Sequence, residues 1–201
     1  MIPVASWILL RARCRRCRGG ISLQYPLVEI AIGLLFVCGF VLGYASWHAV
    51  VYLLAVCFFA ILFLVDLRLY VIPDSISIPA IVIILTLNSV LTRDPVTYLV
   101  GASAGALWFW MQYTVSKGRW VGGGDMRLGA LMGALLGHPY VWLGLMVSYV
   151  AGSIIALALI VLGKKKMKST LPFATMLLPG ALATWMFGGT IWTWYSGLFG
   201  F

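Results

Sequence analysis

Long apolar runs alternate with short polar breaks along the whole chain. Pro26 to Trp47 is the first run, His48 or Ala49 to Asp66 the second, Ile76 to Leu91 the third and Val96 to Val115 the fourth. A polar, glycine-rich stretch, Ser116 to Asp125, precedes a short run, Met126 to Leu136. A long run, Tyr140 to Gly163, and a last one, Pro172 to about Gly188, follow; an aromatic tail (Trp192, Trp194, Tyr195) closes the chain. Uncharged runs of this length predict membrane helices. The breaks are Leu67–Asp74, Thr92-Arg93-Asp94-Pro95, Gly137-His138-Pro139 and Lys164-Lys165-Lys166-Met167-Lys168. The short run reaches roughly 17 Å if helical, so it needs a thinned membrane or burial among its neighbours. The predicted fold is an all-α, polytopic transmembrane helix bundle of about seven membrane segments, one of them short. A small basic cytoplasmic segment, residues 1–25, precedes a membrane domain over 26–201.

Composition agrees: 63% of the 201 residues are hydrophobic and 9% charged, more apolar than a soluble core of this size requires. No cleavable signal peptide is visible, because the apolar start is short and the charges follow it. The net charge of +9 raises the question of nucleic acid. The basic residues, however, sit in clusters between apolar runs, the arrangement expected opposite anionic lipid headgroups. With the N-terminus in the cytoplasm, thirteen basic residues fall on the cytoplasmic side and Arg93 alone falls outside. That asymmetry sets the topology and places Asp66 and Asp125 at the same membrane boundary.

Only five residues are acidic, and a carboxylate at a membrane boundary is costly enough to suggest function. Asp66 ends an apolar run, where a helix dipole disfavours an anion; the competing reading is an exposed loop carboxylate. Asp125 opens the short run, where it could simply cap a helix. Together they suit peptide hydrolysis, in which an ionised carboxylate activates water and a protonated one hydrogen-bonds the carbonyl. The dipoles of their own helices assign the proton to Asp66 and the charge to Asp125. Asp74 reads as the N-cap of the third run, and Asp94 lies in the opposite loop. Glu29, at the start of the first run, either pairs with a basic residue or meets substrate.

Gly122, Gly123 and Gly124 allow close backbone approach, and an extended substrate could pair its main chain there; an ordinary flexible loop is the competing reading. Cys38 and Cys57 lie inside apolar runs as small buried hydrophobes. Cys14 and Cys17 form a CxxC among arginines: half a zinc site, a redox pair or a remnant. The arginines would lower the thiol pKa values. The two histidines, His48 and His138, fall on the far side from Cys14 and Asp66, and there is no HExxH, which argues against serine, cysteine and metalloprotease chemistry.

The run Val65-Asp66-Leu67-Arg68-Leu69-Tyr70-Val71-Ile72-Pro73-Asp74 resembles the first active-site motif of type IV prepilin peptidases, the GxGD membrane aspartic proteases. Gly122-Gly123-Gly124-Asp125-Met126-Arg127-Leu128 resembles their GxGD motif, with Arg127 where lysine is common. The segments Arg11 to Cys17 and Ile21 to Glu29 resemble the family's cysteine segment and the entry to its next helix. Leu171-Pro172-Phe173-Ala174 resembles a late motif. The resemblance implies catalytic aspartates at Asp66 and Asp125, and a bacterial inner-membrane enzyme with its active site facing the cytoplasm. Its substrate would be a type IV prepilin or type II secretion pseudopilin, cut after its short basic leader. Proteolysis would need no cofactor. Many members also methylate the new N-terminus from S-adenosylmethionine, and longer members hold zinc with four cysteines; here only the second CxxC is present, and no glycine-rich nucleotide fingerprint appears. The alternative class is a membrane transporter or channel that uses Asp66 and Asp125 as proton or cation sites. A catalytically silent scaffold is the third.

Overall fold

The computed structural model describes residues 4–41, 46–163 and 173–199. Among them are eight helices: α1 (Ala5–Leu9), α2 (Gln24–Val41), α3 (Ser46–Leu69), α4 (Asp74–Thr92), α5 (Pro95–Ser116), α6 (Gly123–Leu136), α7 (Tyr140–Val161) and α8 (Ala174–Phe199). The protein is an all-α, multi-pass membrane helix bundle. Five of the described helices, α2, α3, α4, α7 and α8, are long and apolar enough to cross a membrane. A helix satisfies its own backbone donors and acceptors, as hydrocarbon demands.

Several boundaries move. Trp47 belongs not to the first run but to α3, which takes in Ser46 to Leu69. The aromatic tail is helical: α8 continues through Gly188 and Gly189 to take in Trp192, Trp194 and Tyr195. Glycine costs only about 1 kcal/mol within a helix, less than exposing backbone groups to lipid. Cys38 and Cys57 are exposed rather than buried, on helices whose outer faces carry apolar side chains such as Leu34, Phe40 and Ile61. The lysine cluster at 164–168 and Leu171-Pro172 lie outside the described residues.

The chain divides into two compact units, Met1–Val56 and Cys57–Phe201. In the first, the Trp7 indole donates to the Ile21 carbonyl at 3.1 Å. Tyr52 fills the space left by Gly39, where a Cβ would lie 2.4 Å from its ring, and donates its hydroxyl to the Leu35 carbonyl at 2.6 Å.

The second unit is organised around α6. This helix is 14 residues long, about 21 Å, too short to cross about 30 Å of hydrocarbon. Burial resolves the mismatch: α6 packs against α4, α5, α7 and α8. Leu128, Leu131, Met132 and Leu135 are fully enclosed. Its approach to α5 is backbone to backbone. A Cβ on Gly133 would lie 1.9 Å from the Gly101 carbonyl oxygen, and one on Gly105 2.1 Å from that of Gly129. Small residues spaced four apart on both helices permit this contact. At the C-terminal end of α6, Asn88 of α4 donates to the carbonyls of Ala134 at 2.9 Å and Leu135 at 3.3 Å, acceptors a helix end leaves open.

Gly133→Ala should therefore destabilise the protein by about 1–3 kcal/mol, the usual range for overpacking, because the obstructing atoms are backbone. Thermal unfolding in detergent checks this; an unchanged midpoint would show that α5 and α6 can separate freely.

Candidate active site

Both boundary aspartates belong to the second unit and are brought together there. Asp66 lies one turn before the end of α3 and is 5% exposed. After it the chain leaves the helix at Tyr70, which is left-handed at φ 54° and donates its amide to the Asp66 carbonyl at 2.9 Å. Ile72 and Pro73 then lead into α4. Asp125 stands in the first turn of α6, is 9% exposed, and senses the charge of Asp66.

Each carboxylate has its own backbone donor. Asp125 Oδ2 accepts the Gly122 amide at 2.7 Å, so it caps α6 from inside the first turn rather than from the N-cap position. Asp66 Oδ2 accepts the Ala174 amide at 3.0 Å across 108 residues, and the Thr175 amide donates to the same carboxylate. Asp66 therefore faces the positive N-terminal end of α8. The expected assignment was drawn from the dipoles of α3 and α6 alone; the start of α8 adds a third dipole, and it acts on Asp66. Asp125 lies outside the five candidate spans; burial pushes its carboxyl up to about 6, against the pull of the Gly122 amide and with a further push from Asp66. Desolvation outweighs the helix dipole at Asp125, while α8 supplies donors to Asp66.

The glycine loop is shorter than expected, since α6 begins at Gly123. Gly124 has a packing reason: a Cβ there would lie 2.8 Å from Ile72 Cβ. Gly123 faces open space, and the Gly122 amide is occupied by Asp125. Asp74 is the first residue of α4, with Pro73 as N-cap, and pairs with Arg127. Its expected capping role gives way to this tie between the N-termini of α4 and α6. Asp94 caps α5, accepting the Thr97 amide at 3.2 Å and hydroxyl at 2.6 Å; these bonds hold its carboxyl below the usual range. Arg68, Lys117 and Arg119 are exposed.

Glu29 belongs to the first unit, where it accepts the Val4 amide at 2.8 Å. Cys14 and Cys17 are there too, in a tight hairpin: the Cys14 amide donates to Gly19 at 2.8 Å and the Arg18 amide to Cys14 at 2.9 Å. The Cys14 thiol is held below its usual value first by the Cys17 amide, then by the Arg16 amide and the Cys17 thiol. Hydrogen bonds, rather than the arginine charges, do this. Among the described residues no group of three or more His, Cys, Asp or Glu is placed to hold a metal ion.

Sequence reasoning gave no role to Asn88 or Phe173. Asn88, the one side-chain amide in its apolar run, carried a legible signal. The Ala174 donor is a backbone atom, which no residue type announces.

Comparison with known proteins adds independent findings. The family model described as "Type IV leader peptidase family" matches residues 53–157, and "Bacterial Peptidase A24 N-terminal domain" matches 1–42. The chain is 32% identical over 196 residues to a protein of Stutzerimonas stutzeri named "Prepilin leader peptidase/N-methyltransferase", covering 92% of this chain and 65% of that one. Proteins of the same name from Aeromonas hydrophila (33% over 205 residues, 96% of this chain, 69% of that one) and Pseudomonas putida (34% over 191 residues, 92% and 65%) are similar. The chain thus spans about two thirds of the length of these curated relatives. No solved structure matches it.

The raised Asp125 pKa has a thermodynamic sign. Its value of about 6 stands above the ordinary 3.8, so the stabilisation it provides is full below about pH 4 and is lost as pH rises through about 6. The loss amounts to roughly 2–3 kcal/mol. The unfolding midpoint of the parent should fall across this window, and Asp125→Asn should flatten the slope; an equally steep Asn variant would assign the slope elsewhere.

Proposed function

Because the chain belongs to the type IV leader peptidase family, we propose that it is a membrane aspartic endopeptidase with Asp66 and Asp125 as its catalytic pair. It is a multi-pass bacterial inner-membrane protein. The observation that carries the proposal is the meeting of two buried carboxylates from helices 59 residues apart in sequence. Family membership favours a peptidase over the transporter or channel that the carboxylates alone would also suit.

In this reading Asp66, held by α8 amides, is the base, and Asp125, held toward its neutral form, is the acid. Asp66 takes a proton from water as the water oxygen bonds to the scissile carbonyl carbon. Asp125 gives its proton to the carbonyl oxygen, yielding a neutral gem-diol. Collapse then returns one diol proton to Asp125, while Asp66 passes its proton to the leaving nitrogen and the C–N bond breaks. Both carboxyl groups end as they began, and the pair titrates as one unit.

The substrate is a type IV prepilin or pseudopilin whose hydrophobic helix enters laterally through the lipid and whose short basic leader is removed. The site faces the cytoplasm, as the thirteen basic residues on that side imply. The 96–115 and 126–136 runs bring the five candidate spans to about seven segments, and residues 1–25 form the cytoplasmic appendage before the 26–201 peptidase domain. Substrate main chain is received beside Gly122, Gly123 and Gly124, and Glu29 contributes a substrate contact.

N-methylation of the new N-terminus, which the relatives' names include, is a second proposed activity, with S-adenosylmethionine as donor. Zinc would be held by Cys14 and Cys17. Two thiols make half of the four-ligand set that structural zinc takes, so the described donors do not fit a closed site and no step here depends on the metal.

Cleavage of a prepilin-like protein in membranes, followed by product mass, tests the proposal. The parent should release the leader. Asp66→Asn, Asp125→Asn and the double variant should each lose roughly a thousandfold or more, to similar extents. Cleavage by either single variant at the parental rate would remove the dyad, and a product one methyl group heavier would establish the second activity.

A further inference from the structure

We propose that the Ala174 backbone amide is a working part of the dyad and that Phe173 is the positioning residue that keeps it there. The inference rests on the reading of Asp66 as a catalytic base.

Asp66 is buried and cannot rely on water to orient its carboxylate. One oxygen, Oδ2, takes the Ala174 amide at 3.0 Å. A donor fixed on one oxygen, backed by the Thr175 amide on the same carboxylate, limits rotation about the carboxyl bond and sets how the group faces an attacking water. The donor is an orphan amide of the first turn of α8, with no partner of its own in the helix. Because 108 residues separate donor and acceptor, local structure does not hold them together; tertiary packing does.

Phe173, the residue before α8, provides that packing. Its ring meets Phe109 of α5 edge-on at 5.4 Å between centroids and Tyr149 of α7 at 5.7 Å. Phe109 is fully buried. Tyr149 is itself tied to α5: its hydroxyl bonds with Gln112 at 3.1 Å and receives the Trp108 indole at 3.3 Å. The entry to α8 is thus pinned to two helices by an aromatic cluster, and the first amide beyond the pin reaches Asp66. Shifting that amide by an ångström would leave the carboxylate in place but misaimed, a fault that lowers turnover more than substrate binding.

The test uses the full chain and a prepilin-like substrate, with kcat and KM measured separately. Ala174→Pro deletes the N–H at the first helical position, where proline is tolerated, while adding a ring at a buried site and restraining Phe173, so the Phe173 variants are read beside it. Phe173→Ala removes the pin, and Phe173→Tyr keeps it. Ala174→Pro and Phe173→Ala should each lower kcat by about thirtyfold or more with KM within about threefold, and Phe173→Tyr should recover at least about a third of parental kcat. If Ala174→Pro does not fold, the two Phe173 variants decide by the same criterion. Parental kcat in the folded variants, or a loss confined to KM, with Asp66→Asn inactive, overturns the inference and leaves the dyad standing. An Asp66→Asn variant that cleaves like the parent removes the dyad and this inference with it.

Discussion

The contact between α5 and α6 is the constraint on which the rest of the second unit depends. Two carbonyl oxygens of one helix occupy the positions that Cβ atoms on the other would need. Only glycine at Gly101, Gly105, Gly129 and Gly133 brings the axes this close. The close approach lets a helix too short to span the hydrocarbon be enclosed by neighbours instead of meeting lipid. Enclosure in turn desolvates the first turn of α6, and a desolvated carboxyl there keeps its proton toward neutral pH. A packing choice made by four glycines thus reaches the chemistry of Asp125.

The two carboxylates sit in different environments although their side chains are identical. Their own helices would put the anion on Asp125 and the proton on Asp66. Tertiary structure adds to this, bringing the start of α8 to Asp66 and burying both carboxyl groups. The dipole of a residue's own helix is a local quantity; what surrounds the carboxyl group is not, and at Asp125 the surroundings win.

Much of the molecule was legible before any coordinates. Apolar runs located the long helices, because length and absence of charge are one-dimensional properties. Scarcity of acid, with positions at membrane boundaries, singled out Asp66 and Asp125. The short run after Asp125 was recognisable as needing either a thinned membrane or burial among its neighbours, and not which of the two. What escaped was what depends on distant partners: the Asp74 pairing with Arg127, the lipid-facing exposure of Cys38 and Cys57, and the Ala174 donor. The extent of α8 was missed for a different reason. Two adjacent glycines, Gly188 and Gly189, suggest a stop in water but carry less weight among apolar neighbours.

The attachments of α4 to α6 have a mechanical meaning. Asp74 meets Arg127 at the N-terminal ends of the two helices, and Asn88 holds the Ala134 and Leu135 carbonyls at their C-terminal ends. The helices run in the same direction, and α4 acts as a splint fastened at both ends. A splint of this kind fixes length as well as position. One residue added within α4 would turn everything after it by about 100° and swing Asn88 away from α6. Changes in chain length are better absorbed by the exposed 117–120 loop, so the separation of the two fastenings is a gauge that the fold keeps constant while its outer surface is free to drift.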